Sequence, residues 1–229
     1  MYKYLLFDLD DTLLDFKTAQ DCAMAKTLQN YKIEPTRENL QKYAQINRLC
    51  WSRFEKGEIT RPEIFTNRTK MFGEFLGVNL QHEPFTKTYL SHLANQGQTL
   101  PYATDLLKIL QQKGYKMAAA TNGTLNSQTG RIIFSGLMGF FKKGIFISEL
   151  IGFQKPDPNF FLEVLNRMGV QKKNEVLMVG DSPVCDVEGA AAAGIDSCLV
   201  DFNKTYTKEN CPANYIINSL EELISTCNL

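Results

Sequence analysis

No stretch of this chain approaches the roughly 18 uninterrupted apolar residues that a membrane-crossing helix needs. The N-terminus runs straight into a strand-like segment, with no charged stretch followed by a longer apolar one. A soluble cytoplasmic chain without an export signal is the expectation. Positive charge is not in surplus: 25 Lys plus Arg face 25 Asp plus Glu, and no basic block of five or more occurs. That argues against nucleic acid as a partner. The six cysteines (Cys22, Cys50, Cys185, Cys198, Cys211 and Cys227) form no CxxC pair and do not cluster with His82 or His92. They read as reduced thiols rather than a disulfide framework or a zinc site. Neither of the two histidines has a nucleophile or ligand set near it in sequence, so both read as exposed imidazoles without a catalytic part. Internal repeats and low-complexity segments are also missing.

What is present is a two-part pattern. At 229 residues the chain is long enough for a core domain carrying a second, smaller one. From residue 100 onward, strands and helices alternate. A helix over 103–113 ends at Gly114, and strands are expected at 115–120, 145–148, 175–179, 197–200 and 215–217. Helices are expected over 159–168 and through Ala190–Ala193. The first strand, at 3–7, belongs with them by hydrophobicity. This alternation implies right-handed βαβ units and a parallel sheet with helices on both faces. Between 16 and 95 the strand signal disappears, and apolar residues such as Ala23, Leu28, Tyr43, Ile46, Leu49, Cys50 and Phe54 recur at helical spacing. An insertion of that length is too long for a simple connection. The expected architecture is therefore an α/β, three-layer Rossmann-like core over 1–15 and 96–229. A small all-helical domain, 16–95, is inserted after the first strand.

Polar motifs fall at the ends of four of these strands. Phe7-Asp8-Leu9-Asp10-Asp11-Thr12 sets two carboxylates two residues apart where the first strand ends, the edge at which open α/β sheets bind ligands. Two buried like charges this close call for a cation or a shared proton. Thr121-Asn122-Gly123, Lys155-Pro156-Asp157-Pro158 and Gly180-Asp181-Ser182 with Asp186 follow three later strands. Each alone has an ordinary reading: a turn, a surface lysine before proline, a helix start. Together at one sheet edge they outline a phosphoryl-transfer site. A carboxylate nucleophile splits one displacement into two, while a lysine and a hard cation offset repulsion from an anionic phosphate.

The ordered set of four motifs resembles the haloacid dehalogenase superfamily of phosphotransferases over nearly the whole chain. The resemblance implies that Asp8 is the nucleophile and Asp10 the general acid and then base. Thr121 and Asn122 would bind the phosphoryl group, and Lys155 would neutralise its charge. Asp8, the Asp10 carbonyl and Asp181 would hold Mg²⁺, with Asp186 an outer partner rather than a direct ligand. The Asp-x-Asp spacing is that of phosphatases rather than of the dehalogenases themselves. The insertion resembles a helical cap of the first type, expected to select the leaving group. Its segment Ile46 to Phe54, continuing through Gly57 and Ile59-Thr60, is similar to the bacterial pyrimidine 5′-nucleotidases, as is the later run Ile147 to Phe153. That implies a small phosphorylated substrate, a nucleoside monophosphate such as UMP, dUMP or dTMP. Trp51 or Phe16 is a candidate for stacking on the base, although Trp51, amid Leu49 and Phe54 at helical spacing, reads first as core of the helical insertion. A sugar-phosphate phosphatase or phosphomutase, and a non-catalytic phosphate-binding module, are the alternatives. Whether the chain is a monomer or a homodimer is left open.

Overall fold

A computed structural model describes all 229 residues. Six strands, β1 (Tyr4–Phe7), β2 (Lys116–Thr121), β3 (Ile145–Ile147), β4 (Val176–Gly180), β5 (Asp196–Val200) and β6 (Tyr215–Ile217), form one sheet in the order β3-β2-β1-β4-β5-β6. Every pairing is parallel. This is the doubly wound order, and its switch point lies at β1, between β2 and β4. Alternate residues of each strand go to opposite faces. Leu5, Phe7, Met117, Ala119, Leu177 and Val179 join one apolar core with helix α5 (Ala103–Gln112). Tyr4, Leu6, Ala118, Ala120, Val176 and Met178 join another, with α8 (Pro158–Met168) and α9 (Gly189–Ala193). Two apolar faces on one sheet make the three layers.

The residues after β1 build four helices: α1 (Phe16–Asn30), α2 (Arg37–Glu55), α3 (Arg61–Leu76) and α4 (His82–Ala94). They pack around a separate apolar core that includes Ala23, Leu28, Tyr43, Ile46, Cys50, Phe54, Phe72, Phe85 and Tyr89. Leu49, expected on the buried face, is instead 47% exposed. The inward stripe of α2 runs Tyr43, Ile46, Asn47, Cys50 and Phe54, and Leu49 sits about 100° off Cys50, past its edge. The histidines also depart from expectation, since both are half-buried. His82 lies against Thr66 and Thr86, and His92 Nε2 contacts Asn30 Nδ2 at 3.1 Å. They hold the helical unit together, away from the strand ends.

Two chain segments join this unit to the sheet, and they pair with each other. The Asp15 N–H donates to the Gln98 carbonyl (3.0 Å) and the Leu100 N–H to the Leu13 carbonyl (2.9 Å). Three shorter helices, α6 (Leu125–Phe134), α7 (Ser148–Ile151) and α10 (Leu223–Thr226), complete the chain. No helix is long and apolar enough to cross a membrane.

Candidate active site

Seven side chains singled out in the sequence, Asp8, Asp10, Thr121, Asn122, Lys155, Asp181 and Asp186, line one cavity of about 1170 Å³ between the strand ends and the helical unit. Asp8 leaves β1 but stays on the sheet, because its N–H donates to the Val179 carbonyl (2.9 Å). The chain then folds tightly: Leu13 and Leu14 N–H both reach the Leu9 carbonyl, and Asp11 takes a left-handed conformation (φ 56°). Asp10 sits within this loop.

Lys155 is 2% exposed and donates through Nζ to Asp8 Oδ1 (2.7 Å) and Asp186 Oδ1 (2.6 Å). Its backbone is clamped by Asn122, whose Nδ2 donates to the Lys155 carbonyl (2.8 Å) and whose Oδ1 accepts from the Lys155 N–H (2.9 Å). The Asn122 amide is thus committed to holding Lys155, which leaves only its main chain for a phosphoryl group. Asp186 has both oxygens occupied, the second by the Ser182 N–H (3.0 Å). Expected as an outer partner of the metal set, it is bound here to Lys155 and lies beside Asp8 and Asp181. A wide helical turn over Pro183–Glu188, in which the Val187 N–H reaches back to Ser182, presents it. Gly180 makes room for it: a Cβ there would lie 2.2 Å from Asp186 Oδ2.

The carboxylates of Asp8, Asp181 and Asp186 each place an oxygen within 4.8 Å of the others. The Asp8 carboxyl is pushed up to about 7, chiefly by burial, with Lys155 opposing the rise and Asp186 adding to it. Burial, then Asp8 and Asp186, hold Asp181 well above the usual carboxylate range. Burial would lower Lys155, but Asp186 and Asp8 outweigh it and keep the ammonium charged. Fully ionised, three acids around one ammonium would carry two negative charges in excess, on hard oxygen donors. That set suits a divalent cation of the magnesium type, and such an ion would relieve the repulsion that raises Asp8 and Asp181.

The sequence did not point to the groups that hold Asp10. Arg131 Nη1 donates to Asp10 Oδ1 (2.5 Å) and Gln128 Nε2 to Asp10 Oδ2 (3.0 Å); the same Gln128 nitrogen reaches Thr121 Oγ1 at 2.7 Å. Arg131 is fully buried, donates through Nε to the Gln96 carbonyl and lies over the Phe16 ring. Both residues come from α6, whose inward face is polar (Ser127, Gln128, Arg131) except for Ile132. The available signal was Thr124 as an N-cap three residues before Ser127. Arg61, at the start of α3, was also missed. Its guanidinium crosses to the strand ends, donating to the Asn122 carbonyl (2.8 Å) and Ser148 Oγ (2.6 Å).

A doubly wound sheet whose switch point gathers a lysine-paired carboxylate, two further acids and a second, arginine-held aspartate defines an aspartate-based hydrolase with a Rossmann-like parallel sheet. The chain belongs to the haloacid dehalogenase-like hydrolases, whose family model matches residues 2–194. It is 35% identical over 224 residues to pyrimidine 5′-nucleotidase PynA of Streptococcus pneumoniae, covering 97% of this chain and 94% of that one. To pyrimidine 5′-nucleotidase YjjG of Escherichia coli it is 27% identical, covering 97% and 96%. Among solved structures, the HAD-hydrolase YfnB of Bacillus subtilis, described as bound to magnesium and showing interdomain movement, superposes with a TM-score of 0.93 at 33% identity. It covers 100% of this chain and 99% of that one.

Proposed function

We propose that the protein is a Mg²⁺-dependent phosphomonoester hydrolase working through an aspartyl phosphate. Its substrates are pyrimidine nucleoside 5′-monophosphates, and residues 16–95 act as a cap over a core formed by 1–15 and 96–229. The observation that carries the chemistry is the Asp8–Lys155–Asp186 chain beside Asp181, with Asp10 independently held two residues from Asp8. Lys155 occupies Asp8 Oδ1, so Oδ2 is the oxygen that attacks phosphorus while the ester P–O bond breaks. Asp10, protonated for that step, gives its proton to the departing ester oxygen. Its carboxylate then takes a proton from water, whose oxygen attacks phosphorus and breaks the P–O bond to Asp8. Inorganic phosphate leaves and both aspartates return to their starting states. Mg²⁺, held by Asp8, Asp181 and the Asp10 carbonyl, would neutralise the phosphate and orient its oxygens. Thr121 Oγ1 and Lys155 Nζ are placed to bind the remaining phosphoryl oxygens. The substrate class rests on similarity to PynA and YjjG, and the aromatic Trp51 and Phe16 on the cavity wall are consistent with it.

The test is phosphate release with Mg²⁺ and with EDTA, across pyrimidine and purine monophosphates, small sugar phosphates and pyrophosphate, with Asp8→Asn as control. Mg²⁺-dependent release that favours pyrimidine monophosphates and vanishes in Asp8→Asn is expected. Preference for a sugar phosphate would overturn the substrate assignment, and turnover by Asp8→Asn would overturn the nucleophile.

A further inference from the structure

Asp8 and Asp10 share their cavity with a buried polar relay that no step of the hydrolysis uses. Arg68 of α3 is 3% exposed, yet no carboxylate partners it. Its Nη1 donates to Asn47 Oδ1 (2.7 Å), and Asn47 Nδ2 donates to Gln20 Oε1 (2.8 Å). The guanidinium lies against the rings of Tyr89 (4.9 Å), Phe65 (5.2 Å) and Tyr43 (5.5 Å), and its Nη2 has no hydrogen-bond partner. The hydroxyls of Tyr43 and Tyr89 are buried beside it and have no partner other than each other. A buried cation without a counterion and with one nitrogen unpaired is strongly unfavourable unless something else completes the set.

The polarity of the relay is fixed from one end. Arginine only donates, so Asn47 must turn its oxygen to Arg68 and its nitrogen to Gln20. Gln20 must then meet Asn47 with its oxygen and present its Nε2. Arg68 Nη2 is sealed from the cavity, so what the relay offers outward is a single donor, Gln20 Nε2, and the missing partner is an acceptor. Its location fits the leaving group: Gln20 lies four residues into α1, about 6 Å along it from Phe16, and Phe16 packs under the arginine that holds Asp10. Trp51, one turn beyond Asn47 on α2, forms an adjoining part of the wall.

We propose that Gln20, Asn47 and Arg68 are the specificity-determining residues for the leaving group, a donor-only subsite for the carbonyl oxygen of a base. This rests on the nucleotidase reading above and extends it. Uracil and thymine put a 4-oxo acceptor where cytosine puts a 4-amino donor, so the relay accepts the first two and opposes the third.

Gln20→Glu tests this most directly. The substitution is isosteric, keeps the acceptor for Asn47, gives Arg68 a nearby anion and replaces the outward donor with an acceptor. Arg68→Met removes the group that fixes the direction of the relay through Asn47. The measurement is kcat/KM for UMP and CMP, each divided by that for phenyl phosphate, whose leaving group lacks a base, with inhibition of phenyl phosphate hydrolysis by uridine and cytidine as a binding readout. The wild type is expected to prefer UMP and uridine. In Gln20→Glu the UMP to CMP ratio should fall by about 10- to 100-fold, with uridine inhibition weakening in parallel. An unchanged ratio in Gln20→Glu, with wild-type UMP turnover present, overturns the subsite alone. A wild type that hydrolyses phenyl phosphate but neither nucleotide overturns the nucleotidase reading and the subsite with it.

Discussion

Asp10 has to hand over one proton and take one back from a fixed position, and α6 supplies both groups that fix it. Arg131 and Gln128 each take one of its carboxylate oxygens, so the carboxyl has little freedom to rotate away from the ester oxygen. Neither residue reaches the reacting atoms in the proposed mechanism; they position one that does. Arg131→Met should therefore lower kcat by about 100-fold, within the range that a general acid and base supplies, and leave KM within a few-fold of wild type. Arg131→Lys, retaining one donor, should recover part of the loss. A KM effect larger than the kcat effect would mean that Arg131 binds substrate directly. Asp8→Asn belongs to the same scale. It removes the nucleophile and one charge of a three-acid cluster, so turnover should vanish while thermal stability is maintained or rises, as followed by circular dichroism.

Elements differ in how far their purpose can be read from residue order. The strands were legible because both faces of the sheet are apolar, which leaves runs such as Val176-Leu177-Met178-Val179 bounded by Gly180. The four motifs were legible because each follows such a run. Helix α6 was not, since its buried face is polar where it meets Asp10: Ser127, Gln128 and Arg131, with Ile132 its one buried apolar residue. The Arg68–Asn47–Gln20 relay was hidden for another reason: its members lie 21 and 27 residues apart, and only the packing of three helices brings them together. The turn after β4 shows the same limit. Asp186 was visible as an acid, but its dependence on a side-chain-free position at Gly180 was not. Gly180→Ala places a methyl group where the Asp186 carboxylate lies. The expected result is displacement of Asp186, loss of its bond to Lys155, a stability drop of about 1–3 kcal/mol in urea titration and a fall in kcat. Wild-type stability and activity in this variant would show that the turn relaxes freely.

At the scale of the whole molecule, α4 of the cap packs along α6 of the core, and two further ties differ in character. One is the paired crossing of residues 13–15 and 98–100, which is backbone-bonded and covalently continuous. Such a crossing permits rotation but not separation. The other is Arg61, which spans from α3 to the loops after β2 and β3 through bonds to the Asn122 carbonyl and Ser148 Oγ and rests on the Phe54 ring. The crossing flanked by the α4–α6 packing on one side, and the non-covalent Arg61 fastener on the other, are the contacts that set how the cap sits over the site. The fastener also lands on Asn122, the residue whose side chain clamps Lys155, so cap position and the site's lysine are mechanically adjacent. Hydrogen bonds to a charged group contribute about 1.5–3 kcal/mol each, so Arg61→Ala should shift the closed-to-open equilibrium by at least about tenfold. Trp51, the only tryptophan in the chain and half-buried on the cavity wall, reports the shift. Its emission should move to longer wavelength and its quenching by acrylamide should increase in Arg61→Ala. KM for a nucleotide should rise by about tenfold, and KM for phenyl phosphate, which reaches less of the cap, should rise less. If Trp51 is unchanged and both KM values move equally, Arg61 is not a fastener but part of the phosphate site, and the cap is held shut by its packing alone.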